Sequence, residues 1–260
     1  MKIGVFDSGV GGLTVLAELK KRLPLHLSYV YLGDTAHVPY GPKSSAQIQK
    51  LSLDAVEILK AKKVDALVVA CNTAASHAMS QIEARMNPIP VFGVVEPGVV
   101  AALDALRDLP KKSPVVVFAT KATVRSRAYS LALESRDAGG PIYEQACPLL
   151  VPIIEEGWID HAVLHQTIRE YVSPYLTLKP GVALLGCTHY PWIHQAFEKA
   201  LPGWRVVNSA WAVAHFLEQS GWFQAKVSQS KRSQKSPHIE WIFTDPDAVP
   251  EFARKWIQNE

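Results

Sequence analysis

The chain alternates between two hydrophobic patterns. Short apolar runs rich in β-branched residues have strand length, and between them apolar residues recur every three or four positions. Ile3 to Phe6 predicts a first strand, and Leu13 to Leu23 an amphipathic helix that stops before Pro24. Tyr29 to Leu32 predicts a strand. Ser44 to Lys62 predicts a helix with Ile48, Leu51, Val56 and Leu59 on one side. A buried strand follows at 67–70, then a helix from Ala74 to Met86 and a strand from Val91 to Val94. A second series continues with helix Val99–Leu109, strand Val115–Phe118, helix Thr123–Arg136, strand Ile142–Ala146 and helix Ile159–Tyr171. It closes with strands at Val182 and Arg205–Asn208, helix Ala210–Gln219, strand Ile239–Phe243 and a helix over Val249–Ile257. Ser228 to Pro237, rich in Ser, Lys and Gln, reads as a solvated loop. Strands alternating with helices twice over predict an α/β chain with parallel sheets and right-handed crossovers.

Two strand ends share one plan. Leu67-Val68-Val69-Ala70 runs into Cys71-Asn72-Thr73, and Val182-Ala183-Leu184-Leu185-Gly186 runs into Cys187-Thr188-His189. Earlier in each series an apolar run ends at a hydroxyl, Ser8 after Phe6-Asp7 and Thr120 after Phe118-Ala119. Two α/β units of similar build, each bringing a cysteine to the carboxyl end of a strand, account for both. Open α/β sheets bind their ligands at that end.

Either cysteine alone is as readily a small buried apolar residue. As a facing pair, they could take a proton from one side of a carbon and return one to the other. A helix N-terminus after each would lower the thiol pKa. Zinc is the weaker reading, since there is no C-x-x-C and no cluster of histidines. Cys147, followed by Pro148, reads as structural. Asp7-Ser8-Gly9-Val10-Gly11-Gly12 matches neither a dinucleotide fingerprint nor a P-loop, though its backbone N–H groups could bind a carboxylate. Asp7 is either a turn or cap residue or a proton acceptor beside a thiol. His189, two residues after Cys187, is a general acid/base candidate or a satisfied structural histidine. One of Glu155 and Glu156 could face the second cysteine. The loop 33–42, dense in Gly and Pro, has the character of a functional loop.

Composition narrows the setting. The 260 residues allow one large domain or two smaller ones, and 48% hydrophobic content makes the chain globular. A net charge of +3 gives no footing for nucleic acid or an acidic membrane surface. No apolar run reaches the roughly 18 residues of a membrane span. Met1 to Phe6 passes directly into a strand, leaving no room for a signal peptide. Three scattered cysteines suit a reducing cytoplasm better than a disulfide framework.

Taken together, these segments resemble the glutamate racemases of the aspartate/glutamate racemase superfamily. The resemblance rests on Phe6-Asp7-Ser8-Gly9-Val10-Gly11-Gly12-Leu13, Gly33-Asp34-Thr35-Ala36-His37-Val38-Pro39-Tyr40-Gly41, Ala70-Cys71-Asn72-Thr73-Ala74, Glu96-Pro97-Gly98, Ala146-Cys147-Pro148-Leu149 with Glu155-Glu156-Gly157, and Gly186-Cys187-Thr188-His189-Tyr190-Pro191. It departs at His37, where arginine is usual, at Ala119, where glycine is usual, and at Asn208, where aspartate is usual.

The resemblance implies two pseudo-symmetric lobes, 1–97 with 214–260 and 98–213, with the active site between them. It implies a cofactor-free racemase that interconverts L- and D-glutamate and supplies the D-isomer to peptidoglycan in the cytoplasm, with no metal. A homodimer is allowed but not required. Cys71 would take the α-proton of the D-isomer, assisted by Asp7. Cys187 would take that of the L-isomer, assisted by His189 and Glu155. Asp7, Ser8, Tyr40, Gly41, Asn72, Thr73, Thr120, Thr188 and His189 would hold glutamate. The alternatives are an aspartate racemase or a decarboxylase of the same superfamily, a one-cysteine hydrolase, and a non-catalytic glutamate-binding protein.

Overall fold

The computed structural model describes residues 1–24, 26–229 and 238–259. The chain runs β1 (Lys2–Asp7), α1 (Leu13–Arg22), β2 (Ser28–Gly33), α2 (Ser45–Ala61), β3 (Ala66–Val69), α3 (Asn72–Met86) and β4 (Val91–Gly93). It continues through α4 (Val95–Leu106), β5 (Val115–Ala119), α5 (Lys121–Ser126), α6 (Ala128–Glu134), β6 (Ile142–Ala146), α7 (Leu150–Glu155), α8 (Ala162–Val172) and β7 (Val182–Gly186). The last elements are α9 (His194–Ala200), β8 (Arg205–Asn208), α10 (Ser209–Gln219), α11 (Gly221–Gln229), β9 (Ile239–Phe243) and α12 (Glu251–Gln258).

Two sheets result, and every strand pair in both is parallel. The first has the order β4-β3-β1-β2-β9 and the second β6-β5-β7-β8. Read from its β8 edge, the second sheet repeats the first: β8-β7-β5-β6 against β4-β3-β1-β2. The echo in the sequence is therefore an echo in topology, with β9 as the extra strand. In each sheet the winding reverses between the first and third strands of the unit, β1 beside β3 and β5 beside β7. The carboxyl ends of such a pair diverge and leave a crevice. Phe6 lies level with Val69, and Ala119 with Gly186. Ser8 and Cys71 thus emerge side by side, as do Thr120 and Cys187.

The strands carry the cores. Ile3, Val5, Phe6, Val68 and Val69 in the first sheet, and Val116, Val117, Phe118, Leu184 and Leu185 in the second, are fully buried. Their near-continuous apolar runs are what a sheet covered on both faces requires. β9 joins the first sheet beside β2, and Trp241 and Phe243 pack their rings on Tyr31.

Several helices differ from the expectation. α4 begins at Val95, four residues early, because Pro97 falls in the first turn, where a missing N–H costs nothing. Pro152 in α7 does the same, and α7 has no counterpart in the sequence reading. The single helix expected over Thr123–Arg136 is broken at Arg127, which adopts a left-handed φ of 55° between α5 and α6. Ser126 Oγ donates to the Thr123 carbonyl (2.6 Å) and accepts from the Ala128 N–H (3.2 Å), so the side chain replaces helical bonds at the break. α8 starts at Ala162, capped by His161, instead of at Ile159. α9 and α11 likewise have no counterpart in the sequence pattern. Ser228 and Gln229, expected in a loop, end α11, and the rest of that expectation, 230–237, lies outside the described residues. Among the described residues no helix is long and apolar enough to cross a membrane.

Candidate active site

The two crevices open into one cavity of about 500 Å³. Ser8, Cys71, Asn72 and Thr73 line it from the first sheet, with Tyr40 and Gly41 from the loop after β2. Thr120, Cys187, Thr188 and His189 line it from the second, with Glu155 and Glu156 from the end of α7. Of the candidate catalytic and substrate-binding residues named from the sequence, Asp7 alone is not on this surface. It lies beneath, wholly buried.

Cys71 caps α3. Its Sγ accepts from the Ala74 N–H (3.4 Å) and lies 3.3 Å from Oγ of Ser8. This helix start was expected to lower the thiol pKa, and the balance goes the other way. Burial and then the charge of Asp7 push Cys71 up to about 12, outweighing the Ser8 and Ala74 donors. Cys71 is therefore a thiol at neutral pH. Cys187 lacks a helix start. The chain after it turns through a 3₁₀ segment at Tyr190–Ile193 before α9.

His189 supplies charge there instead. Its Nδ1 lies 4.0 Å from Sγ of Cys187, and its Nε2 is 2.9 Å from Oε1 of Glu155. Burial pushes the imidazole down, but bonds to the Cys187 sulfur and the Glu155 carboxylate outweigh it and hold the pKa at about 10. An imidazolium beside a sulfur supports the thiolate. Of the two adjacent glutamates it is Glu155 that meets His189.

Asp7 collects donors from both lobes. Its Oδ1 accepts from the Gly9 N–H (3.0 Å) and its Oδ2 from the Thr188 hydroxyl (3.2 Å). Burial still raises its pKa, against the His189 charge and the Gly12, Gly9 and Thr188 donors. The N–H groups of Gly9 and Gly12, which the sequence offered to a ligand carboxylate, bind Asp7. The glycine run has a second purpose. Thr14 Oγ1 donates to the Thr188 carbonyl (2.8 Å), and a methyl at Gly11 would overlap Thr188 Oγ1 and His189 Nδ1. Only glycine lets the first turn lie that close to the second cysteine loop.

Hydroxyls join the lobes on the other side. Thr73 Oγ1 lies 2.9 Å from Thr120 Oγ1 and 3.3 Å from Thr123 Oγ1. The carbonyl of Gly41 accepts from the Ala122 N–H (2.9 Å). Tyr40 donates to Oδ2 of Asp34 (2.7 Å), and His37 Nδ1 is 2.8 Å from Asp34 Oδ1. Asn72 is held by side-chain bonds to Tyr129 and Ser209. Asp34 stood in a matched motif without a role of its own, and Thr14, Thr123, Tyr129 and Ser209 carried no signal that would single them out in the sequence. Cys147 is almost fully buried and also lines the cavity. Burial, then the nearby Cys187, raises its thiol well above the usual range.

Paired parallel sheets whose switch points bring two cysteines to one cavity define a class of racemase-like α/β proteins. The chain belongs to the Asp/Glu/hydantoin racemase family, whose model matches residues 13–217. Within it, glutamate racemases are among the similar proteins. That of Aquifex aeolicus is 43% identical over 260 residues, covering 100% of this chain and 95% of the relative. That of Koribacter versatilis is 44% identical over 272 residues, covering 97% and 91%. Among solved structures, the glutamate racemase of Francisella tularensis in complex with D-glutamate superposes with a TM-score of 0.86 at 31% identity, covering 100% of this chain and 94% of that one. An aspartate racemase of Picrophilus torridus, at 19% identity and a TM-score of 0.58, shares the fold.

Proposed function

We propose that this chain interconverts L- and D-glutamate without a cofactor, passing protons between two thiols on opposite sides of the α-carbon. One observation carries the reading. Cys71 and Cys187 come from different sheets and line the same cavity, with Ser8 at the first sulfur and His189 at the second. Cys71 is held as a thiol, able to deliver a proton. Cys187 stands 4.0 Å from the His189 ring, whose positive charge balances the sulfur as it acts as the base.

From L-glutamate, Cys187 takes the α-proton. The C–H bond breaks, an S–H bond forms, and the electron pair stays on the substrate as a carbanion. Ser8, Asn72, Thr73, Thr120 and Thr188 supply donors for the charge that develops on the carboxylate. Cys71 then gives its proton to the opposite face and becomes the thiolate. In reverse, Cys71 is the base with Asp7 assisting, and Cys187 the acid with His189 and Glu155 behind it. Tyr40, Gly41 and the hydroxyls fix the substrate so that both sulfurs reach one carbon. The lobes, 1–97 with 214–260 and 98–213, hold glutamate between them. On this reading the product is D-glutamate for peptidoglycan, made in the cytoplasm, with a homodimer allowed.

Cys71→Ser and Cys187→Ser test this. Each is expected to abolish racemisation, read by formation of the opposite isomer from either glutamate isomer. Near wild-type racemisation after either change overturns the two-thiol scheme. D-aspartate formed faster from L-aspartate than D-glutamate from L-glutamate would favour the aspartate reading instead.

A further inference from the structure

One side chain touches both arms that carry the cysteines. The break at Arg127 turns α6 so that Tyr129 lies fully buried under the ends of β7 and α3. Its ring fills a slot between two backbones. A methyl at Gly186 would stand 3.1 Å from Cε2 of the ring, and a methyl at Gly98 3.1 Å from Cε1. Gly186 immediately precedes Cys187. At the other end of the ring, Oη donates to Oδ1 of Asn72 at 2.5 Å, and Asn72 immediately follows Cys71. Asn72 is pinned from behind by its own bond from Nδ2 to Ser209 Oγ (3.1 Å). Burial, then the charges of Cys187 and Glu144, push the phenol well above its usual pKa, so it stays a donor at every working pH.

We infer that Tyr129 is a positioning residue, a rigid spacer that sets the separation of the two thiols by bearing on Gly186 with its ring and on Asn72 with its hydroxyl. The inference rests on the two-thiol reading above. Its physical content is a difference between two outcomes of the same proton abstraction. Inversion needs both sulfurs within reach of one carbon: the C–H bond breaks toward Cys187 and a new one forms from Cys71. Exchange without inversion needs Cys187 alone, which loses the abstracted proton to solvent and returns a solvent proton to the same face. A small change in the spacing slows the first and leaves the second.

The test is L-glutamate in deuterated water with wild type, Tyr129→Phe and Gly186→Ala, comparing deuterium in recovered L-glutamate with D-glutamate formed. Tyr129→Phe keeps the ring and removes only the hydroxyl. It is expected to hold KM within about twofold and to lower kcat for inversion by about tenfold, within the reach of a displacement under 1 Å. The ratio of exchange to inversion rises severalfold. Gly186→Ala displaces the ring from the other side and shifts the ratio the same way. Tyr175→Phe removes another phenol, bonded to Gln145 Oε1 at 3.2 Å and not on the surface of the catalytic cavity, and leaves the ratio at its wild-type value. An unchanged ratio in a folded Tyr129→Phe, or an equal rise in Tyr175→Phe, overturns the inference. A wild-type enzyme that neither exchanges nor inverts overturns the two-thiol reading, and this inference with it.

Discussion

The charge on His189 is held by its neighbours. Burial works against the imidazolium, and the Cys187 sulfur and Glu155 carboxylate prevail, with a pKa of about 10. Removing the carboxylate should therefore be visible in a pH profile. Glu155→Gln replaces a charge-assisted bond worth about 1.5–3 kcal/mol with a neutral one. The alkaline limb of kcat/KM for L-glutamate is expected to move down by roughly one to two pH units, since one unit corresponds to about 1.4 kcal/mol. A limb that stays in place would separate Glu155 from the chemistry. The same group links stability to pH. A histidine raised in the folded state stabilises fully below its ordinary pKa of about 6.5, and that contribution is lost as pH climbs through about 10. Denaturant midpoints should fall across this window in wild type and fall less in Glu155→Gln.

At the scale of elements, local chemistry and packing are separable. α2 carries a complete capping box: Ser44 Oγ accepts from the Gln47 N–H, and Gln47 Oε1 accepts from the Ser44 N–H. Ser44→Ala is expected to cost about 1 kcal/mol, seen as a drop in Tm of roughly 2–4 °C, with racemisation unchanged. Elements with strong periodicity were legible in the sequence, as were the strand ends that carry Asp7, Cys71, Thr120 and Cys187. What stayed hidden depended on bonds and burial that exist only once the chain is folded. Pro152 reads as a breaker until it falls in a first helical turn, so α7, which presents Glu155, was unseen. Arg127 reads as helical until Ser126 takes over the backbone bonds. The pKa of Cys71 goes against its helix start because the depth of burial and the charge of Asp7 are properties of the assembled crevice. The helix start was visible, and it was the lesser influence.

Over the whole molecule, each half contributes an incomplete site. The Thr188 hydroxyl and the Thr14–Thr188 bond stitch one rim, and the Thr73–Thr120–Thr123 hydroxyls and the Gly41–Ala122 bond stitch the other. A ligand gripped from both sides stabilises the folded state by mass action. Either glutamate isomer at about 100 times its Kd is expected to add roughly 2.7 kcal/mol, read as a rise in Tm. Glutamate that leaves Tm unchanged at saturating concentration would contradict a site shared between the lobes.

The order of β9 in the chain also bears on how the molecule is born. The second sheet is complete once β8 is made, whereas the first waits for a strand that emerges after it. On the ribosome, where folding proceeds as segments emerge, the later-encoded half can close around its own interior first. The earlier half meanwhile holds the flank of β2, with Tyr31 bare of its aromatic cover, until Ile239 to Phe243 arrives. That nascent interval is when this chain most exposes an unpaired strand to its neighbours on a polysome.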